Sequence, residues 1–299
     1  MSSHTIKLDP IEAPAARRFF EEHGFEFRDA PHAYWQARGP GCNATFYMSG
    51  KLLLQGKEAD VYRGLMADET PEARPYYRAL SKQPKPPPVA WIGTDETGKG
   101  DYFGPLVVAG VICEPAHLEI LATLGVDDSK AVSDRKVPEL EKAITGLCRH
   151  EVMFISPPTY NRLHGKMGNI NKLMCWAHAK VIENLLAGEG EPRPDWILVD
   201  RFAPDHQMKR ALGPLAREVR FDQRPKAEED PAVAAASIIA RAAYLRGLKS
   251  LGRRFAMTLP GGAGKPVLTA GRRFLETHGR DALGEIAKLH FSTTQQIGG

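Results

Sequence analysis

The 299-residue sequence has no apolar run approaching the roughly 18 residues that a bilayer-spanning helix needs. Its first residues, MSSHTIKLDP, lack the apolar core of a secretory signal. A cytoplasmic protein with no membrane partner is therefore expected. Cysteine is scarce. Cys42, Cys113, Cys148 and Cys175 fall into neither CxxC nor zinc-ligand spacing, so reduced packing thiols are the expected reading. Charge of one sign is also scarce, with a net +4 and a pI near 8.8. That mild excess suits a polyanionic partner without requiring one. At 42% hydrophobic and 25% charged residues the chain is neither disordered nor fibrous. No internal repeat interrupts it, and low complexity is confined to one proline-rich stretch.

That stretch, SKQPKPPPV from Ser81 to Val89, holds four prolines, which forbid a continuing helix or a central strand and favour an extended spacer. Length alone permits two cores. The expected division is residues 1–81, a linker at 82–88, and residues 89–299. In the first part, helical periodicity runs from Ile11 to His23 and again from Lys57 to Met66. A strand is read at His32 to Gln36, and Ala44–Met48 and Leu52–Gln55 flank Ser49-Gly50 as a tight hairpin. These elements predict a small α+β module with one sheet face open to a partner.

Beyond the linker, apolar strands alternate with helices. Strands are expected at Val89–Thr94, Leu106–Cys113, Val152–Ile155 and Trp196–Val199. Helices are expected at Ser133–Leu147 with Ser133 as N-cap, at Asn171–Leu186, and at Pro231–Leu248 opened by Asp230-Pro231. The alternation predicts an α/β sheet sandwiched by helices.

The segment IGTDETGKGDYFGPLV, Ile92 to Val107, carries the strongest chemical signal. Asp95 and Glu96 stand together at the end of an apolar strand, before a turn with Gly98 and Gly100. Adjacent carboxylates there repel unless cations neutralise them, and hard divalent ions such as Mg²⁺ or Mn²⁺ suit oxygen ligands. Taken alone, the pair is equally readable as a solvated acidic turn. GTDETGKG also approaches a phosphate-binding P-loop, but Gly100 stands where Ser or Thr is needed to hold Mg²⁺, and two carboxylates inside the loop would repel phosphate. Asp200 closes the strand Trp196–Val199, and Glu228 precedes a helix of small residues. Singly, these are a strand-end cap and a first-turn acid. As a set, four convergent acids suffice to hold two divalent ions about 4 Å apart, the arrangement suited to in-line phosphodiester displacement.

The chain resembles the type 2 ribonuclease H group, and within it ribonuclease HIII. The resemblance rests on DETGKGDYFGP (Asp95–Pro105), DDSK (Asp127–Lys130), GNINKLMCWAHA (Gly168–Ala179), VDRFA (Val199–Ala203), KAE followed by AVAAASIIAR (Ala232–Arg241), and KLHFSTT (Lys288–Thr294), in collinear order. SGKLLLQGKEA, Ser49 to Ala59, is similar to the TATA-binding-protein-like extension of ribonuclease HIII. The resemblance implies a ribonuclease H-like fold, a central mixed sheet with helices on both faces, preceded by a small TATA-binding-protein-like domain that grips substrate through Lys51, Lys57 and Arg63. It implies that Asp95, Glu96, Asp200 and Glu228 are the catalytic and metal-binding acids, with Glu229 a competitor for the fourth place. It further implies a monomeric endonuclease that cuts the RNA strand of RNA/DNA hybrids, leaving 5′-phosphate and 3′-hydroxyl ends.

Gly98, Lys99 and Gly100 resemble the loop that touches ribose 2′-hydroxyls in relatives, the group that separates RNA from DNA. Glycines that merely form a turn are the other reading. Ser129 and Lys130 are expected at backbone phosphate, and Asn169 and Asn171 in the same groove or in a capped loop. His178 and His290 are expected to pack rather than to react. Within enzymes the rival reading is incision at single ribonucleotides in duplex DNA; outside them, a non-catalytic hybrid-binding protein.

Overall fold

A computed structural model describes residues 2–8, 13–68, 84, 87–126 and 132–298. The chain divides into two compact units, Met1–Gln83 and Pro84–Gly299. Most of the proline-rich stretch lies outside the described residues.

In the first unit the strands are β1 (Ser2–Lys7), β2 (Glu26–Arg28), β3 (Ala33–Gly39), β4 (Cys42–Tyr47) and β5 (Lys51–Gly56), joined by helices α1 (Ala13–Glu22) and α2 (Ala59–Asp68). They form one antiparallel sheet in the order β1-β5-β4-β3-β2. The β4–β5 hairpin closes through Gly50, whose N–H donates to the Tyr47 carbonyl at 2.9 Å and whose φ of 78° suits glycine. Both helices pack on one face. Phe19 and Phe20 of α1 and Tyr62 of α2 cluster with Trp35, Phe46, Leu52 and Leu54, while alternate residues such as Lys7, Tyr34, Arg38, Asn43 and Lys51 are exposed. β1 and β2 have no apolar alternation strong enough to read from sequence; pairing with β5 and with β3, respectively, makes them strands.

The second unit contains β6 (Trp91–Thr97), β7 (Leu106–Cys113), α3 (Leu118–Thr123), α4 (Val137–Leu147), β8 (His150–Ile155), α5 (Pro157–Met167), α6 (Ile170–Ala187), β9 (Trp196–Asp200), α7 (Asp205–Ala211), α8 (Pro214–Arg217), β10 (Arg220–Arg224), α9 (Pro231–Arg254), α10 (Lys265–His278) and α11 (Ser292–Gln296). Its mixed sheet runs β10-β9-β6-β7-β8, with β10, β9 and β6 parallel and β7 and β8 antiparallel to their neighbours. Helices cover both faces, as expected. On one side Met174, Ala177, Val181 and Ile182 of α6 pack on Ile92, Val108, Ile197 and Val199. Burying each large side chain of this kind contributes about 1.5–3 kcal/mol. On the other side α9 presents Ala232 to Ala236, all buried.

Backbone approach on that second side is close enough to forbid a side chain on β6. A Cβ on Gly93 would lie 2.3 Å from the Val233 nitrogen. Asp230 starts α9 as its N-cap, accepting from the Ala232 N–H and from Trp91 Nε1, each at 2.9 Å. One buried carboxylate thus joins the start of the helix to the start of β6.

Several sequence expectations are corrected. Ser133 is not a helix cap. Its carbonyl accepts from Lys136 and Val137 in a preceding turn, and α4 begins at Val137, where Pro138 fits the first turn. β6 starts at Trp91 rather than Val89 and continues through Asp95, Glu96 and Thr97, because β7 pairs with it to Thr97↔Val107. Strand β10, RFDQR, carries no apolar signature and forms because β9 supplies a parallel ladder. Helix α1 is described from Ala13, so Ile11 lies outside the described residues. Among the described residues no helix is long and apolar enough to cross a membrane.

Candidate active site

Asp95 and Glu96 are successive residues of one strand, so their side chains leave opposite faces of the sheet. Asp95 points to the α9 side, where the Ser237 hydroxyl donates to it. Glu96 points to the α6 side, where His178 Nε2 lies 3.2 Å from Oε2. A carboxylate only accepts, so Nε2 carries the proton and Nδ1 accepts from the Thr94 hydroxyl at 2.8 Å. His178 is fully buried and stacks on Phe202 with ring centroids 4.8 Å apart. Lys99 completes this side, with Nζ 3.7 Å from Glu96 Oε1 and 5.3 Å from the Phe202 ring centre.

Parallel pairing of β6 and β9 ends at Thr94↔Val199, so the next residues, Asp95 and Asp200, emerge side by side at the carboxyl ends of adjacent strands. Asp200 Oδ1 accepts from the Ala227 N–H at 2.9 Å, which docks the one-turn helix Ala227–Glu229 onto the strand end. Glu228 follows Ala227 and is the neighbour whose charge Asp200 feels; Glu229 is exposed. The fold therefore gathers Asp95, Glu96, Asp200 and Glu228 at one edge of the sheet, with Lys99 at its rim.

The electrostatics reflect crowding of like charge. Burial, and then the negative charge of Glu96, push Asp95 up to about 7 from its ordinary 3.8. Asp200 is also raised, chiefly by burial, with Glu228 and Glu96 adding to the effect and the Ala227 N–H opposing it. Glu96 goes the other way. Burial works to raise it, but the His178 hydrogen bond, with Lys99, outweighs burial and holds it below the usual carboxylate range. A site in which one carboxylate ionises at the expense of its neighbours lacks positive charge, and oxygen donors converging there fit hard divalent cations.

The neighbouring expectations divide. Gly98 has a steric reason to be glycine: φ is +95°, and a Cβ would lie 2.2 Å from the Pro105 carbonyl oxygen. Gly100 has no such constraint and faces open space. Asn169 is the N-cap of α6, its Oδ1 accepting from the Asn171 N–H at 2.7 Å, so the capped-loop reading describes its local role. Ser129 and Lys130 lie outside the described residues. His290 stacks on His164 at 4.2 Å, away from the acids.

His178, expected to pack or to support a catalytic group rather than to react, does the latter against Glu96, whereas sequence reasoning gave no individual role to Ser237 or Lys288. Lys288 is fully buried, and its Nζ donates to the carbonyls of Asp101 and Gly104, each at 2.8 Å, holding the loop that follows β6.

The family model described as Ribonuclease HII matches residues 92–294. Ribonuclease HIII of Chlamydia abortus is 36% identical over 282 residues, covering 93% of this chain and 91% of that protein. Ribonuclease HIII of Protochlamydia amoebophila is 36% identical over 291 residues, covering 97% and 95%. Among solved structures, Bst-RNase HIII in complex with Mn²⁺ superimposes with a TM-score of 0.67 at 32% identity, covering 99% of this chain and 98% of that one. Near-complete coverage at such identity, together with the acid-bearing sheet edge, shows that the chain belongs to the ribonuclease HII family, on its ribonuclease HIII branch.

Proposed function

We propose that Asp95, Glu96, Asp200 and Glu228 hold the two divalent cations, Mg²⁺ or Mn²⁺, with which this chain, as a ribonuclease H, hydrolyses the RNA strand of RNA/DNA hybrids. The observation that carries the reading is Asp95 beside Asp200 at the carboxyl ends of β6 and β9, with Asp95 pushed up to about 7 by burial and then by the Glu96 charge. Such ions lower the barrier by activating water and by neutralising charge on the scissile phosphate and the departing 3′ oxygen. Products with 5′-phosphate and 3′-hydroxyl ends follow from that direction of attack.

The chain's own groups do the positioning. Ser237 and His178 fix Asp95 and Glu96 from opposite faces, the Ala227 N–H fixes Asp200, and Lys99 offers a mobile cation at the rim for phosphate. The loop of Gly98, Lys99 and Gly100 approaches the strand being cut, and Gly100, with open space about it, is where a ribose 2′-hydroxyl can meet backbone. Ser129, Lys130 and Asn171 are assigned to the same substrate.

The amino-terminal unit, residues 1–81, is assigned to substrate binding through its helix-free sheet face, joined by the linker at 82–88 to the catalytic unit, 89–299. Across that face Arg28 Nε donates to Gln36 Oε1 and Gln36 Nε2 to Thr45 Oγ1, both at 2.8 Å, with Lys7, Arg38 and Lys51 exposed nearby. Lys57 and Arg63 are exposed as well. The same reading takes the chain as a monomer acting in the cytoplasm, where its four free, buried cysteines stay reduced.

Asp95→Asn is the direct test. It removes a ligand while keeping shape, so cleavage of a hybrid should fall by at least a hundredfold while hybrid affinity stays within about threefold. Full cleavage by the variant would end the assignment.

A further inference from the structure

A second cluster of ligand-type side chains sits at the other end of the catalytic sheet. Cys113 is the last residue of β7 and pairs with Trp91 at the start of β6, whereas Ala109 pairs with Asp95. Four residues of strand separate the two positions, roughly 13 Å. Cys148 is the C-cap of α4, its N–H bound to the Ile144 carbonyl at 2.8 Å. His117 ends the one-turn helix Pro115–His117, held by a reciprocal capping arrangement with Glu114. The Sγ atoms of Cys113 and Cys148 and a ring nitrogen of His117 all lie within 4.8 Å of one another.

We propose that Cys113, His117 and Cys148 form a binding site for a soft divalent cation of the zinc class, distinct from the carboxylate cluster. Three features support it. The Glu114 N–H donates to His117 Nδ1 at 3.3 Å, so Nδ1 is the unprotonated ring nitrogen, and an ion would take its lone pair in place of that N–H. Cys148 Sγ stands 3.5 Å from that same Nδ1. With Zn–S of about 2.3 Å and Zn–N of about 2.0–2.1 Å, a tetrahedral ion separates its sulfur and nitrogen ligands by about 3.5 Å. The pair therefore already stands at the ligand-to-ligand edge of such a site. Finally, two thiolates and an imidazole select zinc-like ions, while the carboxylates at the opposite end select Mg²⁺ or Mn²⁺, so one chain can hold both without exchange.

Binding would release the two thiol protons to solvent as two S–metal bonds form, with no change of oxidation state. The fourth position falls to water. Such an ion would tie the end of β7 to the α4–β8 turn. Its role is to stabilise the sheet rather than to take part in hydrolysis.

The test uses the reduced full-length chain in excess Mg²⁺, which fills the carboxylates. One equivalent of Zn²⁺ should survive desalting and raise the melting temperature, and Co²⁺ should give a thiolate-to-cobalt charge-transfer absorption. Cys148→Ser and His117→Ala should each weaken uptake at least tenfold, while Cys42→Ser should not. Absence of the charge-transfer absorption in the unaltered chain would overturn the proposal, whatever the variants do. So would its full retention in Cys148→Ser.

Discussion

His178 donates from Nε2 to Glu96 Oε2 across 3.2 Å, joining the middle of α6 to the carboxyl end of β6 in a part-buried contact. It is a positioning residue, since it touches a proposed metal ligand rather than the substrate. Removing it by His178→Ala leaves Glu96 buried without its main stabilising partner, so its carboxyl should rise and protons should compete better with metal. Half-saturating Mg²⁺ should increase by about 10- to 100-fold. The acid limb of the cleavage profile should move to higher pH, and His178→Gln, which can still donate, should restore part of the loss. Titrating Mg²⁺ at several pH values separates this from general misfolding.

Lys288 gives a pH dependence of stability. Burial pushes its ammonium down to about 7 from 10.5, with the Asp101 charge opposing. Between those values the unfolded chain binds more protons than the folded one. Stability from this residue is therefore complete above about 10.5 and is lost as pH falls towards 7, with a slope of at most about 1.4 kcal/mol per pH unit. Lys288→Met should flatten that slope in denaturant melts between pH 7 and 10. It should also lower cleavage several-fold at pH 8, because the Asp101 and Gly104 carbonyls lose their shared donor. An unchanged slope would remove the assignment.

Gly93→Ala probes the contact between β6 and α9. The added methyl would meet backbone atoms, Val233 N at 2.3 Å and the Ala232 carbonyl carbon at 2.4 Å, which cannot rotate away. The helix must shift and carry Ser237 from Asp95. A cost of about 1–3 kcal/mol is expected, read as a melting temperature lower by roughly 2–4 °C per kcal/mol. Cleavage should fall more than hybrid binding.

On the amino-terminal unit, Arg38→Ala combined with Lys51→Ala should weaken hybrid binding and reduce the salt dependence. Each lost phosphate contact lowers the slope of log affinity against log salt by about 0.7–0.9, so the pair should lower it by roughly 1.5. Turnover at saturating hybrid should be nearly unchanged. An unaltered slope would exclude this face from the nucleic-acid contact.

Much of the architecture could be read from local patterns because local forces decide it. Leu106–Cys113 is apolar throughout and must be buried on both faces, and it is a strand with those same bounds. Asp230-Pro231 opens a helix because a capping acceptor and a fixed φ suit a first turn anywhere. RFDQR gives no such signal: β10 depends on the ladder offered by β9, a partner two helices away in the chain.

The same division runs through the site. The sequence by itself determined which acids are available and the spacing of each from its own strand or helix, and with the family resemblance it supplied the four that are proposed to hold metal. It could not tell that Asp95 and Glu96 are held from opposite faces, that His178 is the residue holding Glu96, or that Glu228 rather than Glu229 lies in the field of Asp200. Those facts follow from register, from the close seat of α9 on Gly93, and from a turn docked by one N–H. They join residues about 30 to 140 positions apart, and charge repulsion and burial act through space, where chain spacing gives no measure of distance.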